Sequence, residues 1–556
     1  MARDPVSLDD VKPGIPRRGR PAPVGRVPWI VAWLPAVLGV LTGLPTLMYP
    51  FGRDQGNYAT AAWVWIEGGV PYQDVFVFKP PGSVWVHGVA QVLFGVQIVS
   101  IRILDLGWTA MTAAVVGVLA YRLFGRRDVA LWAGCVWPLL YWQVDYWNIA
   151  QTDGWINLPS ALALLFVLLG GDWIGKRFWA AMGFWVAAGA FAGIAVTFKY
   201  TGISLGLPLL FAVGHVALHR GRAAWWALAG LVIGGLLALG ATWAWLVGIG
   251  GWQAFVDTQT DLIPAYVRRT AKARSFSQAL ERMLWLPKHK ADVGPLLYSG
   301  LFALIPATIV AALGGRRGLV GLGVVLAWWG AGMASLLTQG KFFDYHYLPL
   351  LSGAALLVGL AGPVLIGWLG GFVWPWLRWV GAAALVVAAI WFTPLGHYWE
   401  EAVQVSTGQR TWEHYLRTEA RYRYKDYNLH DQRRLVEHLR ATTGADDHVF
   451  IWGFDPAIHV WSQRRGVSRF LYNYPFRVDW GNEAYKQELI DALAAEPPLV
   501  VIIASKDATP GVTGSRKDSL RLFNEFRDFR SFVQENYQEE DAVGRYHVWR
   551  KRAPTP

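Results

Sequence analysis

Apolar runs of about 20 residues recur along this chain between short polar breaks, a pattern that predicts helices crossing a membrane. Candidate spans lie at 28–50, 103–121, 129–147, 155–172, 178–197, 202–218, 223–247, 294–313, 318–337, 347–367 and 374–394. The stretch 83–99 is also apolar, but it is short and carries His87, Gln91 and Gln97. Counted as a crossing, it would set Arg122, Arg126 and Arg127 opposite Arg17, Arg18, Arg20 and Arg26. Laid in the interface, it restores the positive-inside rule, and "GKR" at 175–177, "HRGR" at 219–222, "GRR" at 315–317 and Arg378 then fall on the same side. The expectation is a polytopic α-helical membrane protein of about eleven spans plus interfacial helices. Its N-terminal tail, 1–27, is expected in the cytoplasm, its membrane domain at 28–396, and residues 397–556 outside a plasma membrane. No strict repeat and no inverted duplication is visible.

From His397 the pattern changes to that of a soluble domain. "RRLVEHLRATTG" and "EAYKQELIDALAAEPP" read as amphipathic helices, "DHVFIWG" and "LVVIIAS" as strands, "FNEFRDFRSFVQENY" as a further helix and "GRYHVWRK" as a closing strand. Alternation of helix and strand over this length predicts a small α/β domain. Neither G-x-G-x-x-G after its strands nor G-x-x-x-x-G-K-[ST] is present, so a nucleotide site there has no support.

Composition agrees with the membrane reading: 54% of residues are apolar and 16% charged, where soluble proteins carry about a quarter charged. The net charge of +12 would suit a nucleic-acid binder, but the basic residues sit in breaks between apolar runs, as topology determinants do. The Pro/Arg-rich start precedes a span too long for a secretory signal core, so it reads as a tail before an uncleaved first helix. A single cysteine, Cys135, permits neither an internal disulfide nor a cysteine metal site.

This topology gathers the polar, weakly basic breaks on the outer face. The first, 51–82, carries Asp54 just beyond a span, ahead of an amphipathic stretch, where it either faces a cavity or caps a helix. Asp74 and Lys79 flank "VFVF", and Pro80 and Pro81 stiffen the chain behind Lys79, which suits a lipid phosphate as well as it suits snorkelling. "GKFFDYHYLPLL" places Lys341, Asp344, His346 and Tyr347 at the outer end of another span, a set able to bind phosphate or simply to solvate a helix end. Asp145, Asn148, Gln151, Thr152 and Asp153 bracket an outer turn, and Lys199 and Tyr200 close a span with no acid nearby in sequence. The loop 248–293 is rich in Arg and Lys. Polar groups at membrane depth are costly unless they line a cavity, and their gathering on one side predicts one.

Within the first outer loop, Asp54, Tyr58, Ala59, Gly68, Gly69, Pro71, Tyr72, Asp74, Lys79, Pro80 and Pro81 occur in an order that resembles the C-type (GT-C) glycosyltransferases, close to glycosyltransferase family 39 and the lipid A aminoarabinose transferases. Weaker likeness continues in "NIAQTDGWINLPSALALL", in "DYHYLPLL" and in the terminal domain. The resemblance implies an inverting transfer of a sugar from a polyprenyl-phosphate donor to a hydroxyl of a lipid, polysaccharide or protein acceptor. In that scheme Asp54 is the general base, Lys79, Lys341 and His346 stabilise the donor phosphate, and Asp74, Tyr58, Asp153 and Tyr347 position the reactants. Gln55 stands where many relatives carry a second acid, and Phe78 where an acid often precedes the lysine. No metal ligand is therefore assigned and no cofactor expected, although a divalent cation is not excluded; the partners are the donor, the acceptor and membrane lipids, with no nucleic acid. The rival readings are a lipid or sugar transporter (flippase), which would place broken helices at mid-membrane, and a non-catalytic membrane scaffold.

Overall fold

A computed structural model describes residues 26–273, 275–370, 387, 393–423, 426–478, 481 and 483–553. Most of the tail 1–27, the last expected span at 374–394 and Arg378 lie outside the described residues. Nine helices among the described residues are long and apolar enough to cross a membrane, running from Ile30–Met48 to Asp344–Pro363. The chain is a multi-pass membrane protein. The run expected as a span at 129–147 forms only the 15-residue helix Arg127–Tyr141, because the polar residues after it fold into a turn: Asp145 Oδ1 accepts from the Trp147 and Asn148 amides. Gly82–Phe94 is a short apolar helix, as its length predicted.

Small residues let the spans approach closely. Phe178–Phe198 crosses Trp226–Gly248 through two G-x-x-x-G faces, Gly189/Gly193 and Gly230/Gly234. A Cβ on Gly234 would stand 1.8 Å from the Val186 carbonyl oxygen, so no larger residue fits this crossing. The outward face of Trp226–Gly248 leaves Val232, Leu236 and Leu237 exposed, a surface suited to lipid. At one end of the bundle Asp172 pairs with Arg122 and Arg220, and Arg317 donates to the carbonyls of Arg122 and Leu123. Basic residues of three breaks thus meet at that end.

The terminal domain carries a four-stranded sheet in the order β1-β2-β4-β3, with β1 at Val449–Trp452, β2 at Val500–Ala504, β3 at Tyr537–Glu539 and β4 at Tyr546–Lys551. β1 and β2 are parallel, with Val449 beside Val500, and both are buried throughout, as their unbroken apolar sequences require. β2 and β4 run antiparallel, Val500 facing Arg550. "FNEFRDFRSFVQENY" spans two helices, Ser519–Glu525 and Arg527–Asn536, and then β3.

The first outer loop and the terminal domain share one hydrophobic core. Val75, Phe76 and Val77 bury alongside Phe470, Tyr472 and Tyr485, and the Phe76 amide donates to the Arg469 carbonyl. Beneath them the helix Arg53–Ile66 meets the helix Ala457–Ser462, where a Cβ on Gly56 would lie 2.7 Å from Ala457 Cβ. The Thr60 hydroxyl donates to the Pro456 carbonyl across the same contact.

Candidate active site

The first outer loop builds one wall of a cavity of about 450 Å³ at the junction of the outer loops and the terminal domain. Its helix, Arg53–Ile66, begins at Gly52, and the cap is supplied by Gln55, whose Oε1 accepts from the Gly52 amide. Gln55 is fully buried, and its Nε2 donates to the carbonyls of Tyr146 (2.9 Å) and Ile149 (2.6 Å). Asp54 is therefore not needed as the cap. It is half-buried, lines the cavity, and has no hydrogen bond or ion pair among the described residues. Its charge reaches Tyr58, Tyr266 and Tyr472, whose phenols are pushed up first by burial and then by Asp54. Those hydroxyls stay protonated around it, as donors.

Arg53, beside it, is clamped from the far end of the sequence. It pairs with Asp426 at 2.5 Å, donates to the Phe454 carbonyl at 2.8 Å, and lies over the rings of Phe454, Tyr427 and Trp147. A guanidinium can make all of these contacts at once because it is planar and carries five donors.

Lys79 comes to the cavity through the rest of the motif. Tyr72 takes a left-handed backbone, φ 74°, unusual for a non-glycine residue, and its hydroxyl donates to the Lys79 carbonyl at 2.8 Å. Asp74 is exposed; its carboxylate accepts from the Val70 amide at 2.7 Å and closes the turn. Asp74 thus shapes the turn leading to Lys79 and does not line the cavity. The Lys79 ammonium lies 5.9 Å from the centre of the Tyr345 ring, and that of Lys199 lies 5.6 Å from the same ring.

Lys199 receives the partner its own neighbourhood lacks. Asp153, fully buried, pairs with it at 2.6 Å, and Gln339 bonds both. Burial lowers the Lys199 ammonium to about 8, an effect opposed by Asp153 and reinforced by Lys79. Lys341 is buried with its ammonium 2.9 Å from the centre of the Tyr266 ring; burial, then Lys79 and Lys199, bring it down to about 6. His346 is buried between the rings of Phe343 and Tyr345, and its Nδ1 has no partner. The Tyr347 hydroxyl donates to the Met283 carbonyl, so this tyrosine braces the loop 248–293 and does not line the cavity.

The structure therefore brings Asp54, Tyr58 and Lys79 to the cavity wall. Asp153, Lys341 and His346 stand behind it, and Asp74 and Tyr347 lie at its supports. Sequence reasoning did not assign Arg53, Tyr345 or Tyr266, or the terminal-domain residues Phe454, Tyr472 and Tyr474. Lys199 had a signal: an ammonium ending an apolar span with no local acid has to find one elsewhere. Among the described residues no three His, Cys, Asp or Glu side chains gather so as to hold a metal ion. The Gln55 amide, facing carbonyl oxygens, does not supply a ligand set there.

The fold has solved counterparts, and part of the sequence matches a family model. Residues 78–247 match the family model of dolichyl-phosphate-mannose-protein mannosyltransferase. The structure of ArnT from Cupriavidus metallidurans bound to undecaprenyl phosphate superposes with a TM-score of 0.54 at 16% identity, covering 95% of this chain and 98% of that one. The chain therefore has the GT-C fold, and residues 78–247 resemble that family in sequence. The apo ArnT structure from the same organism gives 0.52 at 16% identity over 94% and 97% of the two chains. The oligosaccharyltransferase of Archaeoglobus fulgidus, in its apo form, gives 0.46 at 14% identity, covering 95% of this chain and 74% of that one. No curated protein matches the chain in sequence. The resemblance read from the first outer loop is thus borne out for the superfamily.

Proposed function

We propose that this GT-C protein transfers a sugar from a polyprenyl-phosphate donor to an acceptor hydroxyl at the outer face of the plasma membrane, with the N-terminus in the cytoplasm. The observation that carries this reading is Asp54: a carboxylate without a protein partner, set in a cavity beside Lys79 and backed by Lys199 and Lys341. The GT-C fold supports it, as does the undecaprenyl phosphate bound by the ArnT counterpart.

The chemistry asks little more than this geometry. A sugar phosphate is already activated, so the protein has to hold the acceptor hydroxyl in line, remove its proton and stabilise the leaving phosphate. Asp54 accepts the proton as the acceptor oxygen bonds the anomeric carbon. The bond from that carbon to the phosphate oxygen breaks, and the electron pair leaves with the lipid phosphate, whose charge Lys79 faces from the cavity wall and Lys199 and Lys341 offset from behind it. One base acting by direct displacement inverts the anomeric centre. His346 reaches the phosphate only through its neighbours, and Asp153 acts by holding Lys199.

Asp54→Asn tests the assignment. With the purified protein in nanodiscs, the substitution should lower transfer at least about 100-fold, the usual scale of a general base, while undecaprenyl phosphate still binds. Transfer that survives the substitution would remove Asp54 from the mechanism.

A further inference from the structure

The cavity wall facing Lys79 belongs to the terminal domain, and its chemistry differs from that of the outer loops. Phe454 follows β1 and stacks on Tyr472 and Tyr474, with ring centres 5.6 and 5.4 Å apart and planes 25° and 27° from parallel. Phe78 of the first outer loop meets Tyr474 edge-on at 5.2 Å. The segment Ala508–Val512 completes the wall. It is anchored by Asp507, which pairs with Arg477 and accepts from the amide and hydroxyl of Ser519.

Two hydroxyls in this lining are left over. Thr509 Oγ1 and Tyr58 Oη are buried, 6% and 2% exposed by residue, and neither has a hydrogen-bond partner among the described residues. Buried polar groups in native proteins are nearly always paired, so two orphans in one cavity point to a ligand that pairs with them. Tyr472 lines the same cavity.

Rigid aromatic surface beside unsatisfied hydroxyls matches one ligand class well. A saccharide ring presents apolar C–H faces that lie against aromatic rings and equatorial hydroxyls that bond at its edge. An acyl chain would leave both orphans unpaired. We propose that Phe454, Tyr472, Tyr474 and Thr509 form an acceptor subsite for a saccharide ring, so that the chain glycosylates a glycan. This rests on the transfer reading above and assigns its acceptor class.

Saturation-transfer NMR on the full chain in nanodiscs tests it with methyl α-mannopyranoside, methyl β-galactopyranoside, methyl α-arabinofuranoside and a capped Ser/Thr peptide. At least one glycoside should take saturation on its ring protons. Phe454→Leu and Thr509→Val should each weaken that binding about fivefold or more, whereas Phe454→Tyr and Thr509→Ser should retain it. Saturation of the peptide alone, of no probe, or undiminished in both Phe454→Leu and Thr509→Val overturns the assignment. Undecaprenyl phosphate is titrated separately: its failure to bind the unaltered protein would refute the transfer reading instead.

Discussion

Replacing Gln55 by glutamate tests whether this loop can carry the second acid seen in many relatives. In the structure the Gln55 Nε2 donates to two carbonyl oxygens, those of Tyr146 and Ile149, at a fully buried position. A carboxylate oxygen in that place would face two acceptors with no proton between them, so the introduced carboxyl has to stay protonated for the loop to keep its shape. Holding a carboxyl of ordinary pKa near 4.3 neutral at pH 7.5 costs up to about 4 kcal/mol, at 1.36 kcal/mol for each unit. The sign follows from linkage. The folded pKa of the introduced carboxyl is raised above its unfolded value, so the penalty is absent below about pH 4.3 and grows as pH rises. At pH 5.5 it should fall to about 1.6 kcal/mol. Thermal unfolding of the purified variant, scanned beside the unaltered protein at both pH values, should show a midpoint deficit that shrinks at pH 5.5 to about 40% of its size at pH 7.5. Gln55→Ala, which strands the same carbonyls without adding charge, should lose stability equally at both. A Gln55→Glu protein as stable as the parent at pH 7.5, or a deficit without slope, would refute the reasoning and show that the loop accommodates an acid.

Further outcomes follow from the same site. Because Lys341 is held near 6 in the free protein, binding a phosphodiester should recharge it; affinity for the lipid-linked donor should fall as pH rises from 6 to 8, by up to about tenfold per unit. Calorimetry in buffers of different ionisation enthalpy should count the proton taken up, and Lys341→Arg should flatten the slope. Gly56→Leu forces atoms into Ala457 at the contact between Arg53–Ile66 and Ala457–Ser462; it should cost about 1–3 kcal/mol, speed proteolysis of the terminal domain and abolish transfer.

What the sequence disclosed depended on how far apart the partners lie along it. Nine of the eleven expected spans and the two central strands of the terminal sheet follow local patterns of burial, and those were legible. The motif residues of the first outer loop were also visible in order, yet their division of labour was not. Asp54 had two readings, catalytic or capping, and only the fold shows Gln55 in the cap. Asp74 looked like a reactant-positioning acid but closes a turn behind Lys79. In sequence "VFVF" was only the run flanked by Asp74 and Lys79, while in three dimensions it is core shared with the terminal domain. The pairing of Arg53 with Asp426 and the edge-on contact of Phe78 with Tyr474 join residues nearly four hundred positions apart. No periodicity or spacing reports contacts of that kind.

The core shared by the first outer loop and the terminal domain sets an order of events during synthesis. Residues 51–82 leave the ribosome early, but Phe76, Arg53 and Gly56 meet their partners only after Arg469, Asp426 and Ala457 have been made and folded. Until then the loop is held only by the membrane domain, as through Gln55 to Tyr146 and Ile149, and the cavity lacks the wall that Phe454, Tyr472 and Tyr474 supply. On the proposed function, a chain truncated before the terminal domain would be inserted yet inert, because the later-made segment completes the site that the earlier-made one begins.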